Sequence, residues 1–476
     1  MATRIQFEEW LPDQPSITSL RDAKNVYPTS IGYAPFPSIE IFSGSASENL
    51  NAVFGSKYGD EVAIFTGGNS KLFKLNATTL ALADVSKSGG YTGTNKWQFT
   101  QFGKAVICAN NEAKLQVWNI GVSSAFADLN VNAPVAKYVT VVRDFVVTAH
   151  LDAGTNPNKV QWSDISDETN WVSGTTSQSD YQLIPDGGNI TGITGGEIGL
   201  VFLERSIVRM SYAGSPLFFQ FDTISRGLGC LEGNSIAQYG ATSFFLSDDG
   251  FYKCDGQTVT GIGTEKVDRY FFNDANITDL DSMSASVDPI KKLVVWNYAN
   301  VDGGRSILIY NWQLNKWSRA LTTSTVIGSI STTGYTLEGL EAVLGYTNIE
   351  TIPASLDDRL WVGGKFLFAG AEDTKIVTFT GSTYNSELIT PDLELGYNSV
   401  VTLARPQIDN GSATVKVASR RELDDNIQFG ASATTSSEGR ASLRSAGRYH
   451  RLSVSPTGNW TNAVGVDIEV KPQGGR

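Results

Sequence analysis

Three adjacent acidic pairs, Asp248-Asp249, Asp357-Asp358 and Asp424-Asp425, are the residues best suited by type to acid–base chemistry. A glycoside hydrolase needs two carboxyl groups on either side of the bond it breaks. Neighbouring residues on a strand point to opposite faces, so an adjacent pair does not flank one bond. The phrases around two of them, "SDDGF" and "LDDRLW", read instead as tight turns, in which Asp accepts hydrogen bonds from its own backbone.

The other reactive residue types are sparse. His150 and His450 are the only imidazoles, and neither sits on a recognisable nucleophile turn. Cys108, Cys230 and Cys254 show no metal-ligand spacing. "SDDGFYKCDG" faintly resembles the Asp-box turn of sialidase propellers, but it lacks the Thr-Trp that completes that turn and occurs once. "GGEIG", "GSKYG" and "RGLGC" resemble pieces of phosphate-binding loops, yet no helix follows them to converge backbone amides on an anion. No catalytic, metal or cofactor residue is therefore expected. His450 lies in "GRYHRL"; on a strand Arg448, His450 and Leu452 share one face and Tyr449 and Arg451 the other. With Arg420, Arg421, Arg440 and Arg444 this stretch reads equally as a solvated basic edge or as a docking face.

Charge divides the chain. The 476 residues carry a formal charge of -12, but residues 401–476 hold 10 Lys and Arg against 7 Asp and Glu. The remainder, with 27 against 42, is strongly acidic. An acidic body argues against wrapping nucleic acid, because affinity for phosphates comes mainly from Lys and Arg. "MATRIQFEEW" lacks a charged and apolar leader, and no run approaches the roughly 18 apolar residues of a membrane span. Folding in a cytosol is expected.

Composition points to strands as the elements that position these residues. Gly (47), Tyr (17), Phe (23) and Trp (10) are abundant, whereas Met (3) is scarce. Short alternating or apolar runs recur, each ended by Gly, Asn or Asp. "DEVAIFTGGNSKLFKLNATTLALADVS" holds three such runs, and "WQFTQFGKAVICANNEAKLQVWNI" repeats the plan with turns at Gly103-Lys104 and Asn110-Asn111. Units begin near residues 52, 97, 137, 190, 236 and 285, about the length of a four-stranded propeller blade. "LEAVLGYT" and "RLWVGGKFLFAGAEDTKIVTFTG" suggest a seventh. The expected fold is all-β: a propeller of six or seven blades over residues 46–383, with stacked sandwiches as the alternative. Alternating strands rich in Arg then predict a small β-sandwich-like domain over 384–476.

Residues 1–45 read as a Pro-rich arm. Pro12, Pro15, Pro28, Pro35 and Pro37 restrict their own and the preceding backbone, while Trp10, Tyr27, Tyr33 and Phe36 supply anchors that a disordered tail has little reason to carry. Trp10, Pro12 and Tyr33 are accordingly candidate interface residues, together with Arg420, Arg421, Arg440, Arg444, Arg448 and Arg451.

The arm phrases "EEWLPDQP" and "DAKNVYPTSIGYAPFPS", with "WQFTQFGKAVICAN" and "GRYHRLSVSPTGNWTNAVGVDIEV", resemble the tail nozzle or tail-stabilisation proteins of short-tailed bacteriophages. The resemblance spans the chain and rests on phrases, with no catalytic signature. It implies a non-enzymatic virion protein, made in the host cytoplasm, that forms a homohexameric ring at the distal end of the tail. It implies a tail adaptor protein as partner, contacts with tail fibre, tailspike or needle proteins, and a conduit for genomic DNA without sequence-specific binding. It implies no cofactor. A glycan-binding or glycan-degrading propeller is the alternative; that function would gather aromatics and separated carboxylates at one end of the axis.

Overall fold

The repeating runs fold as four-stranded antiparallel sheets in a computed structural model that describes residues 2–93, 95–331, 365–382 and 384–473. The first blade has strands Ala52–Tyr58, Glu61–Gly67, Leu72–Leu75 and Leu82–Asp84. Later blades open on Gln98–Phe102, Ala136–Val142, Ile190–Thr194, Ala237–Tyr239 and Ser284–Asp288. Each start lies within one residue of the position read from the repeat. Second strands such as Ala105–Ala109 and Gly199–Leu203 are buried throughout, which is why they read as unbroken apolar runs instead of alternating ones. Gly103, at φ 57°, takes the left-handed turn between Phe102 and Ala105.

Six of these sheets stand alone with four strands each, and a seventh four-stranded set, from Ser284–Asp288 to Lys316–Thr322, begins a larger sheet. The seventh unit does not start where the sequence suggested. Its innermost strand is Val326–Ser331, followed by Phe366–Glu372 and Lys375–Thr378. Its fourth strand is Glu40–Ile41, from the N-terminal segment, with Val377 opposite Ile41. "LEAVLGYT" and the first residues of "RLWVGGKFLFAG" lie outside the described residues. The last blade meets the first directly: a Cβ on Gly55 would stand 2.7 Å from the Ile330 Cα. The ring closes there because glycine lets two innermost strands approach that closely.

The C-terminal residues form a β module around two long strands, Leu393–Ile408 and Ala441–Thr457. Ala441–Thr457 pairs with Leu393–Ile408 over its first part and with Ser412–Arg420 over its second. This module is not separate from the propeller. Asp22–Lys24 pairs with Lys316–Thr322 on one side and with Glu387–Ile389 on the other, so one sheet runs from a blade into the C-terminal strands. The core follows: Trp10, Phe251, Trp296, Trp317, Leu452 and Trp460 belong to one buried cluster.

The reading of 1–45 as an arm against a neighbour is corrected by these pairings. Ala2–Gln6 pairs with Ala463–Pro472, Asp22–Lys24 joins two units and Glu40–Ile41 completes a blade. Prolines interrupt the segment into short strands, and its aromatics anchor it to this chain's own core.

Candidate functional site: the inner-strand cavity and the C-terminal arginines

The innermost strands of several blades enclose a cavity of about 240 Å³. Val53 and Phe54, Gln98 and Phe99, Ser286 and Ser329 lie on its wall. Phe54 and Phe99 stack across adjacent blades at 5.5 Å, with planes 10° apart. Lys96 lies just before the strand Gln98–Phe102 and donates through Nζ to the Met283 carbonyl at 2.8 Å. Burial, reinforced by the nearby Arg305 guanidinium, pushes this amine down to about 8.

The carboxylates of Glu232, Asp281 and Asp279 oppose that fall, and a network of amides and backbone groups lies alongside. Gln98 donates to Asn234 Oδ1 at 3.2 Å, Asn234 donates to the Asp281 carbonyl at 3.1 Å, and Glu232 accepts from the Asn234 backbone N–H at 3.0 Å. Arg305 spends its guanidinium on Asn297 Oδ1 and the Ser282 carbonyl, both at 3.0 Å. The wall carries Lys96, amides, hydroxyls and two stacked rings, a surface suited to holding a polar group. Among the described residues, no carboxylate lines the wall, where glycoside cleavage requires two.

The acidic pairs occupy turns. Asp249 Oδ2 accepts from the Tyr252 hydroxyl at 2.8 Å and Asp248 Oδ1 from Ser247 at 3.1 Å. Asp425 Oδ2 accepts from the backbone N–H groups of Arg421 and Glu422. Asp357-Asp358 lie outside the described residues. The sequence reading missed Asp268, a buried carboxyl behind the "SDDGF" turn. Its Oδ1 accepts from the Phe251 N–H at 3.0 Å, and burial pushes it up to about 7, with Asp13 and Asp249 adding repulsion. A Cβ on Gly250 or Gly263 would run into this carboxyl, which explains the glycine in the turn.

The candidate interface residues divide into four groups. Trp10 and Tyr33, each 1% exposed, are unavailable to another chain. The Trp10 N–H donates to the Tyr33 hydroxyl, which donates to the Glu8 carbonyl, and the Trp10 ring meets Tyr270 edge-on at 5.0 Å. Pro12 is half-buried on a cavity wall beside Tyr270. Arg420 is 7% exposed and pairs with Asp392 at 2.6 Å, and Arg451 pairs with the same carboxylate at 2.5 Å. Both are held inside, contrary to an open docking face. Arg421, Arg440, Arg444 and Arg448 are exposed, Arg440 beside Glu438 and Arg448 paired with Glu394 at 2.7 Å.

His450 is fully buried and does not present a basic group. Its Nε2 and Nδ1 each lie 2.7 Å from a hydroxyl, Ser399 on one flanking strand and Ser419 on the other. Burial lowers its pKa, so the neutral ring serves as a bridge between strands. The alternation that placed it opposite Tyr449 says nothing of the serines across the sheet. The three cysteines are free and buried.

No known family model matches the sequence, and no curated protein does. Among solved structures the chain is similar to that of BamB from Moraxella catarrhalis, at 13% identity over 79% of this chain and 97% of that chain, with a TM-score of 0.38. It is also similar to the Pan2 WD40 domain of Neurospora crassa, at 8% identity over 72% of this chain and 96% of that chain, with a TM-score of 0.40. The propeller assignment rests on this chain's own strand pairing. No helix among the described residues is long and apolar enough to cross a membrane.

Proposed function

We propose that the protein is a structural component of a short bacteriophage tail, a nozzle subunit that works as a rigid body within a ring of six copies. The observation that carries the reading is the strand Asp22–Lys24, hydrogen-bonded to a blade on one side and to the C-terminal module on the other. A ring subunit must present two different surfaces at a fixed angle to each other, and a continuous sheet between two modules supplies that rigidity. The phrase-level resemblance supports the choice of a tail. The acidic body suits a passage along which DNA slides without adhering. Exposed Arg421, Arg440, Arg444 and Arg448 then supply the basic surface for the adaptor or a fibre, tailspike or needle protein.

Electron microscopy of assembled tails, with this chain labelled, tests the proposal. Six copies around the distal tube are expected. A position away from the axis, or absence from the particle, rules the nozzle role out. A parallel assay with surface polysaccharides of the host separates the alternative: hydrolysis or saturable binding by the isolated chain would move the function to glycan recognition.

A further inference from the structure

We infer that the cleft between the third and fourth blades binds an anionic group carried on an apolar body, a medium-chain carboxylate or phosphate monoester. Strand lengths open this cleft. The third blade ends in Asp180–Leu183, four residues, whereas the last two strands of the fourth, Ser206–Gly214 and Phe218–Arg226, run to nine each. The short strand cannot cover the long pair, and a cavity of about 590 Å³ lies between them. That is within the usual size of a small-molecule site.

The wall has an apolar part and a charged part. Ile184, Val208 and Phe221 make the first; Ile184 and Val208 are buried, and the Phe221 ring is backed by Trp162 at 6.1 Å. Arg205 and Arg226 make the second. The ladder sets them beside each other: Ser206 pairs with Arg226, and the Gly227 N–H donates to the Arg205 carbonyl at 2.8 Å. Both side chains are exposed, and neither has an ion pair or hydrogen bond among the described residues. Asp186 is the one carboxylate on the wall, and it pairs with neither arginine. Glu204 packs against Gly188 off the wall, and Asp222 is held by Arg209 at 3.1 Å. Two positive charges against one negative thus face this cavity, on a chain that is acidic as a whole.

The facing loop is fixed before any ligand arrives. The Gly187 carbonyl accepts from the Arg205 N–H at 2.9 Å, and a Cβ on Gly187 would stand 2.2 Å from Ser206 Oγ. Glycine lets the loop close on the strand that closely. An added peptide strand is the poorer occupant, because the edge of Asp180–Leu183 is capped by its own side chains. Asp180 Oδ1 accepts from the Tyr181 N–H at 2.9 Å, and Gln182 Nε2 donates to the Leu183 carbonyl at 2.8 Å. Guanidinium groups match the oxygens of carboxylate and phosphate, while the apolar wall gains by covering a hydrocarbon body. The proposal does not depend on the tail reading.

Calorimetric titration of the full chain with octanoate, and separately with octyl phosphate, at constant ionic strength tests it. Acetate, inorganic phosphate and octanol, which carry the head or the body alone, are the comparisons. Saturable binding of at least one amphiphile is expected, about tenfold or more tighter than any of these three. Binding of octanoate alone assigns a fatty carboxylate, and of octyl phosphate alone a phosphate monoester. Replacing both arginines, Arg205→Gln with Arg226→Gln, should weaken binding about tenfold or more and leave the melting temperature nearly unchanged, since both are exposed. Thr223→Trp, at an exposed position on the wall, should block the cleft while keeping both charges. The proposal is overturned by the absence of saturable heat with both amphiphiles, or by a head or body alone binding as tightly. Unchanged affinity in the double arginine variant or in Thr223→Trp overturns it too.

Discussion

Asp268→Asn should remove a pH dependence of stability that this one carboxyl imposes. In the folded chain burial holds Asp268 up to about 7, against an ordinary value of 3.8. Between those two values the folded state keeps the proton and the unfolded state has lost it, so the contribution is fully present below 3.8. It declines as pH rises and is gone above about 7. The slope is about 1.4 kcal/mol per pH unit, so the loss between pH 5 and pH 7 is roughly 3 kcal/mol, an upper figure for a site with some water access. Asn keeps the shape and the oxygen that accepts from the Phe251 N–H, while carrying no titrating proton. His150 and His450, both lowered by burial, work in the opposite direction, because their neutral forms are favoured on folding as pH rises. They act equally on parent and variant, so the difference between the two isolates Asp268. Urea unfolding at pH 5, 6, 7 and 8, followed by fluorescence of Trp296 and Trp317, which lie against Phe251, supplies the measurement. The stability of the parent minus that of the variant should fall by up to about 3 kcal/mol from pH 5 to pH 7 and then level off. A difference that stays constant from pH 5 to pH 8 would refute the assignment of a raised, buried carboxyl.

Trp10→Ala should lower unfolding stability by about 3–5 kcal/mol, the range for a buried Trp or Phe, and denaturant titration would read it. A loss under 1 kcal/mol would show that the N-terminal segment is peripheral after all. Gly55→Ala should destabilise the junction of the first and last blades, since its methyl group meets backbone at 2.7 Å, and faster amide exchange in Val326–Ser331 is the expected mark. Unchanged exchange there would show that the two strands can separate at no cost.

Local signals were legible in the sequence, and partners distant along the chain were not. Blade starts could be read because each blade encodes its own strands and turns in consecutive residues, as in Gln98–Phe102, Gly103 and Ala105–Ala109. The fourth strand of the last blade went unread because it is Glu40–Ile41, two exposed residues without periodicity whose partner is Val377. The arginines showed as a basic stretch, but which of them would be buried depended on Asp392, one of two acids in "ITPDLELG", and nothing local tells it, with its two guanidiniums, from Glu394, which holds the exposed Arg448. Asp268 was hidden for a similar reason: its burial is set by Gly250, Gly263 and the Phe251 N–H, which the fold alone brings around it.

The strand that completes the last blade precedes every blade in the chain, and its partner lies more than 330 residues further on. Glu40–Ile41 leaves the ribosome before any blade, yet its partner Lys375–Thr378 follows when most of the chain has been synthesised. Until then the nascent protein carries the start of a ring without its closure, and an open blade edge will accept a strand from any source. Closure is therefore a late event of very high sequence separation, slow by the loop entropy it must overcome and vulnerable to exchange between neighbouring copies. Joining the ends through a short linker and opening new termini at an exposed turn between two middle blades would shorten the stretch between Ile41 and Val377 from 336 residues to about 140. Such a permuted chain should refold faster than the parent while keeping its contacts.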